Sequence, residues 1–430
     1  MDRPEIDRLV RTALTEQPIT DLHTHCYSPR FGASPEPGGL LLWGIDELLT
    51  YHYLVAEVYH VVGPEKLPYE AFWALPRQRQ AEHIWKHLFV ERTPVSEACR
   101  GVITTLRLLG LDPGERDLDR LRRWFADQDP DRYVDKVMET AHVDSITMTN
   151  PVFDDAERAI WLSRPGVGGD PRFRAVLRID PLLGEWPVAA RRLSSWGYRV
   201  AEDFSGSTVE EGQRFLRDWI TRMKAVYVAA SFPPEVRFPA GGASGPGGSS
   251  TDRVLREILL PVLRDNGLAF AMMIGSKRMV NPLLRDAGDM SGLADVSAVA
   301  NLCREFPRNR FLVTMLAREN QHELCVAARK FPNLLVFGCW WFINNPSLIE
   351  EVTRMRIELL GTGFVPQHSD ARILDQLLYK WDHSRRVIGK VLSDKYADLA
   401  EAGFPLGAEH VRRDVRLLLR DNFRDFVGHQ

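Results

Sequence analysis

Thr20-Asp21-Leu22-His23-Thr24-His25 is the stretch on which the reading of this chain turns. In an extended strand, side chains i and i+2 share a face, so His23 and His25 can point the same way and hold one metal ion between them. A chain with 12 histidines also meets a His-x-His by chance, and the position of the motif speaks against chance. A helix-compatible lead (3–16) precedes it, and a turn-rich run, Ser28-Pro29-Arg30-Phe31-Gly32, follows. That is where the first strand of a barrel ends and its loop begins, and barrels keep their chemistry at that end of the strands.

Working outward, 430 residues exceed what one compact core usually holds, so a large domain with an insertion, or two domains, is expected. The net charge of -3 and the lack of any long Lys/Arg run argue against a nucleic-acid surface. Cys26, Cys99, Cys303, Cys325 and Cys339 are odd in number and contain no Cys-x-x-Cys pair. That pattern fits reduced thiols in a cytoplasm better than a disulfide framework. The charged start, Met1-Asp2-Arg3-Pro4-Glu5, has no apolar core, and no run of about 20 apolar residues occurs. Neither export nor a membrane is expected, and the expected location is cytoplasmic.

After the first strand the pattern turns helical, with amphipathic segments at 45–60, 69–89, 94–109 and 117–125. The aromatic and histidine content there, including Trp43, Trp73, Trp85, His83 and His87, reads as helix packing. From about 131 short apolar runs alternate with helical stretches, at 143–148, 173–177, 226–229, 268–272, 310–313 and 334–337, with a weaker one at 363–365. With the strand ending at His25 they make eight. The expected fold is α/β, a (β/α)8 TIM-like barrel. Its expected parts are a lead and first strand (1–30), an inserted helical subdomain (31–130), and the rest of the barrel with C-terminal helices (131–430). No Gly-x-Gly-x-x-Gly follows any run, which disfavours a doubly wound sheet. The Gly- and Ser-rich 240–250 reads as a mobile loop after strand four, either a lid or an inert disordered loop.

In such a barrel, polar residues at strand ends converge on one mouth. His23 and His25 supply nitrogen ligands for zinc or another first-row divalent metal. In Gln367-His368-Ser369-Asp370-Ala371-Arg372, Asp370 can complete the coordination or act as a base, with Arg372 beside it for an anionic group. A helix N-cap followed by a surface arginine is the plainer alternative for that pair. His52 and Tyr53 can fold over the mouth. Arg178 and Asp180 share a strand face, and an inward Arg178 binds a carboxylate bidentately or forms a barrel salt bridge. No nucleophile elbow and no P-loop is present.

Taken together, these motifs resemble uronate isomerases, members of the amidohydrolase superfamily, over nearly the whole chain from His23 to Asp421-Asn422-Phe423. Phe337-Gly338-Cys339-Trp340-Trp341-Phe342-Ile343-Asn344 is similar to the family's Gly-x-x-Trp-Trp-Phe-Asn, and Ser369-Asp370-Ala371-Arg372 to its Thr-Asp-Ser-Arg. His52-Tyr53 resembles its His-Tyr, Arg178-x-Asp180 its Arg-Pro-Asp, and Arg318-Glu319-Asn320 its Arg-Asp-Asn. The resemblance implies a distorted barrel with a helical insertion after strand one and aldose-ketose isomerisation of a hexuronate or related sugar acid. It implies one divalent ion on His23, His25 and Asp370, zinc first, with manganese, iron or cobalt as alternatives. His52, Tyr53, Arg178, Arg318 and Trp340 are implied to bind substrate, and Asp370 and Arg372 to serve catalysis.

Three departures mark the chain. Met273-Ile274-Gly275 stands where the family reads His-Ile-Gly, although Arg278 and Asn281 still follow. Ala230-Ser231-Phe232 replaces an Asp-His pair, and Thr149-Asn150-Pro151 replaces Thr-Asp-Asp-Pro. Conversely, His368 occupies a position usually apolar in the family, two residues before Asp370, and is a candidate base on the same face. These changes leave two alternatives: a metal-dependent hydrolase such as a lactonase, and a barrel that binds a sugar acid without turning it over. The expected partners are a small sugar acid and at most further copies of the chain.

Overall fold

A computed structural model describes residues 2–34, 36, 38–239 and 249–428. Most of the expected 240–250 loop therefore lies outside the described residues. The chain opens on helix α1 (Arg3–Glu16), started by Asp2, whose side chain accepts from the Glu5 amide at 2.9 Å, and by Pro4 in the first turn. Ile6, Val10, Ala13 and Leu14 recur at helical spacing and are buried. Pro18 then forces the extended backbone that leads into strand β1 (Ile19–Thr24), all six residues of which are buried.

Helices fill the chain between β1 and the next strand, running from Ile45–Leu49 and His52–Val62 (α2) to Pro130–Ala141. Beyond them come β2 (Val143–Pro151), helix α3 (Asp155–Ser163), and strands β3 (Phe173–Arg178), β4 (Val228–Phe232), β5 (Ala269–Ile274), β6 (Arg310–Met315) and β7 (Leu334–Val336). The seven strands form one parallel sheet in chain order, β1 to β7. Both faces are covered, which is why the strands read as continuous apolar runs rather than as alternations. Along β5, Ala269, Ala271 and Met273 join an inner cluster with Leu22, Val176, Ala229 and Leu312, while Phe270, Met272 and Ile274 pack outward. Met273, the last inward residue, consequently faces the mouth.

The eighth position is not a regular strand. Val365 pairs with Phe337 in a single bridge, its amide donating to the Val336 carbonyl at 3.1 Å and its carbonyl accepting from Gly338 at 2.8 Å. Pro366 has no amide to extend that ladder. Further along, the Asp370 amide donates to the His23 carbonyl at 3.2 Å and the His25 amide to the Ala371 carbonyl at 2.7 Å. The curled sheet thus closes onto β1 through an irregular segment, giving a TIM-like barrel with seven regular strands. The long helix α4 (Gln376–Glu401) follows and packs against α1.

Gly338 is required by this closure. Its φ is +62°, and a Cβ there would lie 1.7 Å from Nδ1 of the fully buried His368. Gly338→Ala combines a left-handed backbone cost with overpacking and is expected to destabilise by about 2–5 kcal/mol. Thermal melts should show His368→Ala in the same chain recovering the overpacking part only; no recovery would mean that the clash is not what the glycine relieves.

Candidate active site

A cavity of about 520 Å³ opens at the C-terminal ends of the strands. Its wall takes His25 from just past β1, Thr149 and Pro151 from β2, Arg178 from β3, Ser231 from β4 and Met273 from β5. Trp340 and Trp341 follow β7, Asp370 and Arg372 come from the closing segment, and Tyr51, His52 and Arg77 from the helices after β1. This is the face on which barrels assemble sites.

At its floor His23, His25 and Asp370 offer three ligand atoms within 4.8 Å of one another. Both Nε2 atoms stand 3.4 Å from Asp370 Oδ1, too long for strong hydrogen bonds. Among the described residues, His23 Nε2 and Asp370 Oδ1 are buried without a hydrogen-bond partner, which a cation between the three side chains would relieve. Two imidazole nitrogens and a carboxylate oxygen are the donor set of a first-row divalent ion with open positions, so the residues fit a metal. Burial lowers the His25 imidazole to about 4, leaving it neutral and able to ligate. Burial works to raise the Asp370 carboxyl, but His23 and His25 outweigh it and hold that carboxyl well below the usual range.

The tautomer of His25 follows from its neighbour. The Thr149 hydroxyl donates its one proton to the Thr24 carbonyl at 2.9 Å, and lies 2.8 Å from His25 Nδ1. Having no second proton, it accepts from Nδ1–H, so the free lone pair sits on Nε2, the nitrogen that faces Asp370.

Other expected site residues fall in different places. His52 lines the cavity with its ring 5.5 Å from Trp341, and burial lowers it to about 3. Tyr53 packs edge-on against His52 at 4.4 Å; its hydroxyl is buried without a partner among the described residues, and it is not part of the wall. Arg178 reaches the wall, but its bidentate partner is the chain's own Asp180, at 2.8 and 2.9 Å, with Ser231 Oγ accepting at 3.1 Å. Arg372 is half-exposed, and its nearest carboxylate, Asp286, is 3.8 Å away. Arg318 is not brought to the cavity: it is an exposed residue paired with Glu351 at 2.9 Å. Nor does His368 stand beside Asp370 on the wall. It lies 5.2 Å from the His23 ring and 5.3 Å from Phe337, inside the barrel and with neither ring nitrogen partnered among the described residues. The φ of +51° at Asp370 breaks the alternation on which a shared face depends.

Sequence reasoning passed over Tyr27, Glu157, Asp286 and Asp289, all on the wall. Tyr27 continues the alternation of His23 and His25, a signal that was present. Asp154-x-x-Glu157 has the spacing of a capping box, which disguises Glu157. Asp154 does cap the Glu157 amide at 2.9 Å, yet the Glu157 carboxylate turns inward to Tyr27, Asn150 and Trp161.

No family model and no curated protein sequence matches the chain. Among solved structures, it is similar to a uronate isomerase from Bacillus halodurans C-125, with 50% identity, 100% of this chain and 98% of that chain covered, and a TM-score of 0.93. The chain belongs to the uronate isomerase family. A uronate isomerase from Thermotoga maritima shares 15% identity (98% and 97% covered, TM-score 0.74) and a glucuronate isomerase from Caulobacter crescentus 17% (99% and 94%, TM-score 0.68). At that distance they attest the barrel of the uronate isomerases and nothing finer.

Thr149→Val removes the acceptor that fixes His25. Chelator-competition titrations should show metal affinity reduced by about tenfold or more, with little change in melting temperature. An unchanged dissociation constant would show that the Nδ1 contact does not set the tautomer.

Proposed function

We propose that the chain is a metal-dependent isomerase that interconverts an aldose and a ketose form of a hexuronate. The observation that carries this reading is the His23, His25 and Asp370 cluster at the mouth of a family-member barrel. A divalent ion held there, zinc being the first choice for this donor set, would polarise the carbonyl and neighbouring hydroxyl of the open-chain sugar.

The chain's own groups divide the remaining work. Asp370 lies on the wall and is ionised, so it can take the C2 proton and return it to C1. Each arginine on the wall but one has a close carboxylate: Arg178 has Asp180, Arg278 has Asp289 at 2.6 Å, and Arg77 has Glu47. Arg372, at 3.8 Å from Asp286, has room for the substrate carboxylate. His52, neutral, exchanges hydrogen bonds with sugar hydroxyls, and Trp340 covers an apolar face of the sugar. Met273 leaves β5 without a polar group, but its partner in register on β4, Ser231, with Arg178 behind it, supplies polarity beside it. That arrangement favours isomerase over a hydrolase, which needs only an open metal position. A cytoplasmic setting and assembly into homo-oligomers are part of the same proposal.

The deciding experiment is proton NMR of the metal-loaded protein with a panel of hexuronates in heavy water. A 2-ketose should form from at least one of them, with deuterium at C1 or C2, and chelation should abolish it. No ketose from any hexuronate would overturn the reading.

Arg372→Lys keeps charge but loses the planar fork. With metal content unchanged, kcat/KM for the acidic substrate should fall about tenfold or more; wild-type kinetics would place the carboxylate elsewhere.

A further inference from the structure

Glu157 is a buried carboxyl that the proposed reaction does not use. It is 1% exposed, yet lines the cavity. Its three partners are neutral donors: Asn150 Nδ2 at 2.7 Å and Trp161 Nε1 at 3.1 Å, both on Oε1, and the Tyr27 hydroxyl at 2.7 Å on Oε2. Among the described residues no arginine or lysine forms an ion pair with it. A buried carboxylate without a cation is costly, and an amide or an apolar side chain would fill the space at lower cost. Burial accordingly pushes the carboxyl up to about 7, so it is ionised in mildly alkaline solution.

An ionised carboxylate only accepts, and a phenol has one proton. With that proton committed to Glu157 Oε2, the Tyr27 oxygen has lone pairs left and nothing to donate. Tyr27 follows His25 by two residues and shares the cavity wall with Arg372 and Asp370. We propose that Tyr27 and Glu157 form a hydroxyl-recognition element: Glu157 holds the phenolic proton, and the Tyr27 oxygen selects a sugar acid that aims a hydroxyl at it as donor. Glu157 is then a positioning residue and Tyr27 a substrate-binding one. This inference rests on the sugar-acid reading of the cavity.

The amide variant has a forced outcome. In Glu157→Gln the amide oxygen must accept from Asn150 and Trp161, so its NH2 donates to the Tyr27 oxygen, and the phenolic proton turns free toward the cavity. Shape is kept while the hydrogen-bond polarity of Tyr27 reverses.

The test uses the metal-loaded full chain and open-chain hexonates, which lack the carbonyl and cannot be turned over. Calorimetry at about pH 8.5, where Glu157 is ionised, compares a parent hexonate with its mono-deoxy series in wild type, Tyr27→Phe and Glu157→Gln. In wild type one deoxy compound should bind about tenfold more weakly than the parent. That penalty should vanish in Tyr27→Phe and change at least threefold in Glu157→Gln, where the same hydroxyl must turn and accept, with the penalties at other carbons unchanged. A purely structural role would weaken all ligands alike and leave every penalty as in wild type, which would overturn the inference. Hexonate binding with unaltered penalties overturns this inference alone, whereas no binding of any hexonate to wild type overturns it together with the sugar-acid reading.

Discussion

The seam between β1 and the segment that closes the barrel is the constraint on which the site depends. Asp21, fully buried, accepts from the Ser369 amide at 3.2 Å and from Trp381 Nε1 at 2.9 Å, so one carboxyl ties β1 to the closing segment and to α4. The backbone exchange of His23 and His25 with Asp370 and Ala371 completes the seam. Without it the two halves of the metal cluster, from opposite ends of the sequence, have no reason to meet. Burial raises the Asp21 carboxyl, the expected response of a group held by amide and indole donors rather than by a cation.

Because the closing segment is irregular, it can do what a regular strand cannot. A strand would send His368 and Asp370 to the same face; the left-handed turn at Asp370 sends the imidazole inward against Gly338 and the carboxylate to the mouth. Asp370 Oδ1 there stands 3.4 Å from the Nε2 atoms of both histidines. Asparagine and aspartate tolerate positive φ better than most residues, so the ligand and the turn are compatible at one position.

What was legible in the sequence follows from periodicity. Seven strands could be read because parallel strands buried on both faces leave unbroken apolar runs, and His23-x-His25 because the period-two alternation of β1 carries on to the residue just past its end. The eighth run looked weak because it is one bridge followed by Pro366, and the rule that placed His368 beside Asp370 fails where φ changes sign. Asp370 and Arg372 were legible as a motif at a strand end, whereas Arg318 lies past β6 on an exposed stretch that carries it to Glu351. Glu157 was hidden by a local pattern, a cap, that accounts for Asp154 and not for its own side chain. Tertiary partners such as Asn150 and Trp161 have no signature in linear spacing.

Burial also decides how charge is carried at the mouth. His25 and His52 are both pushed far below neutrality by it, and His368 is lowered in the same way. Imidazoles that cannot be cations are free to be ligands or hydrogen-bond partners, so positive charge rests with the guanidinia. Three of those on the wall are close to carboxylates of the chain, which leaves Arg372 as the group whose pairing is loose enough to exchange. On the proposed reading, an anionic sugar would be oriented by two anchors, Arg372 at its acid end and the histidine and aspartate cluster at its carbonyl end. The neutral polar groups that share the wall with them, Tyr27, His52 and Ser231, would then be left to distinguish one pattern of hydroxyls from another, because hydrogen-bond direction rather than charge is what such groups can read.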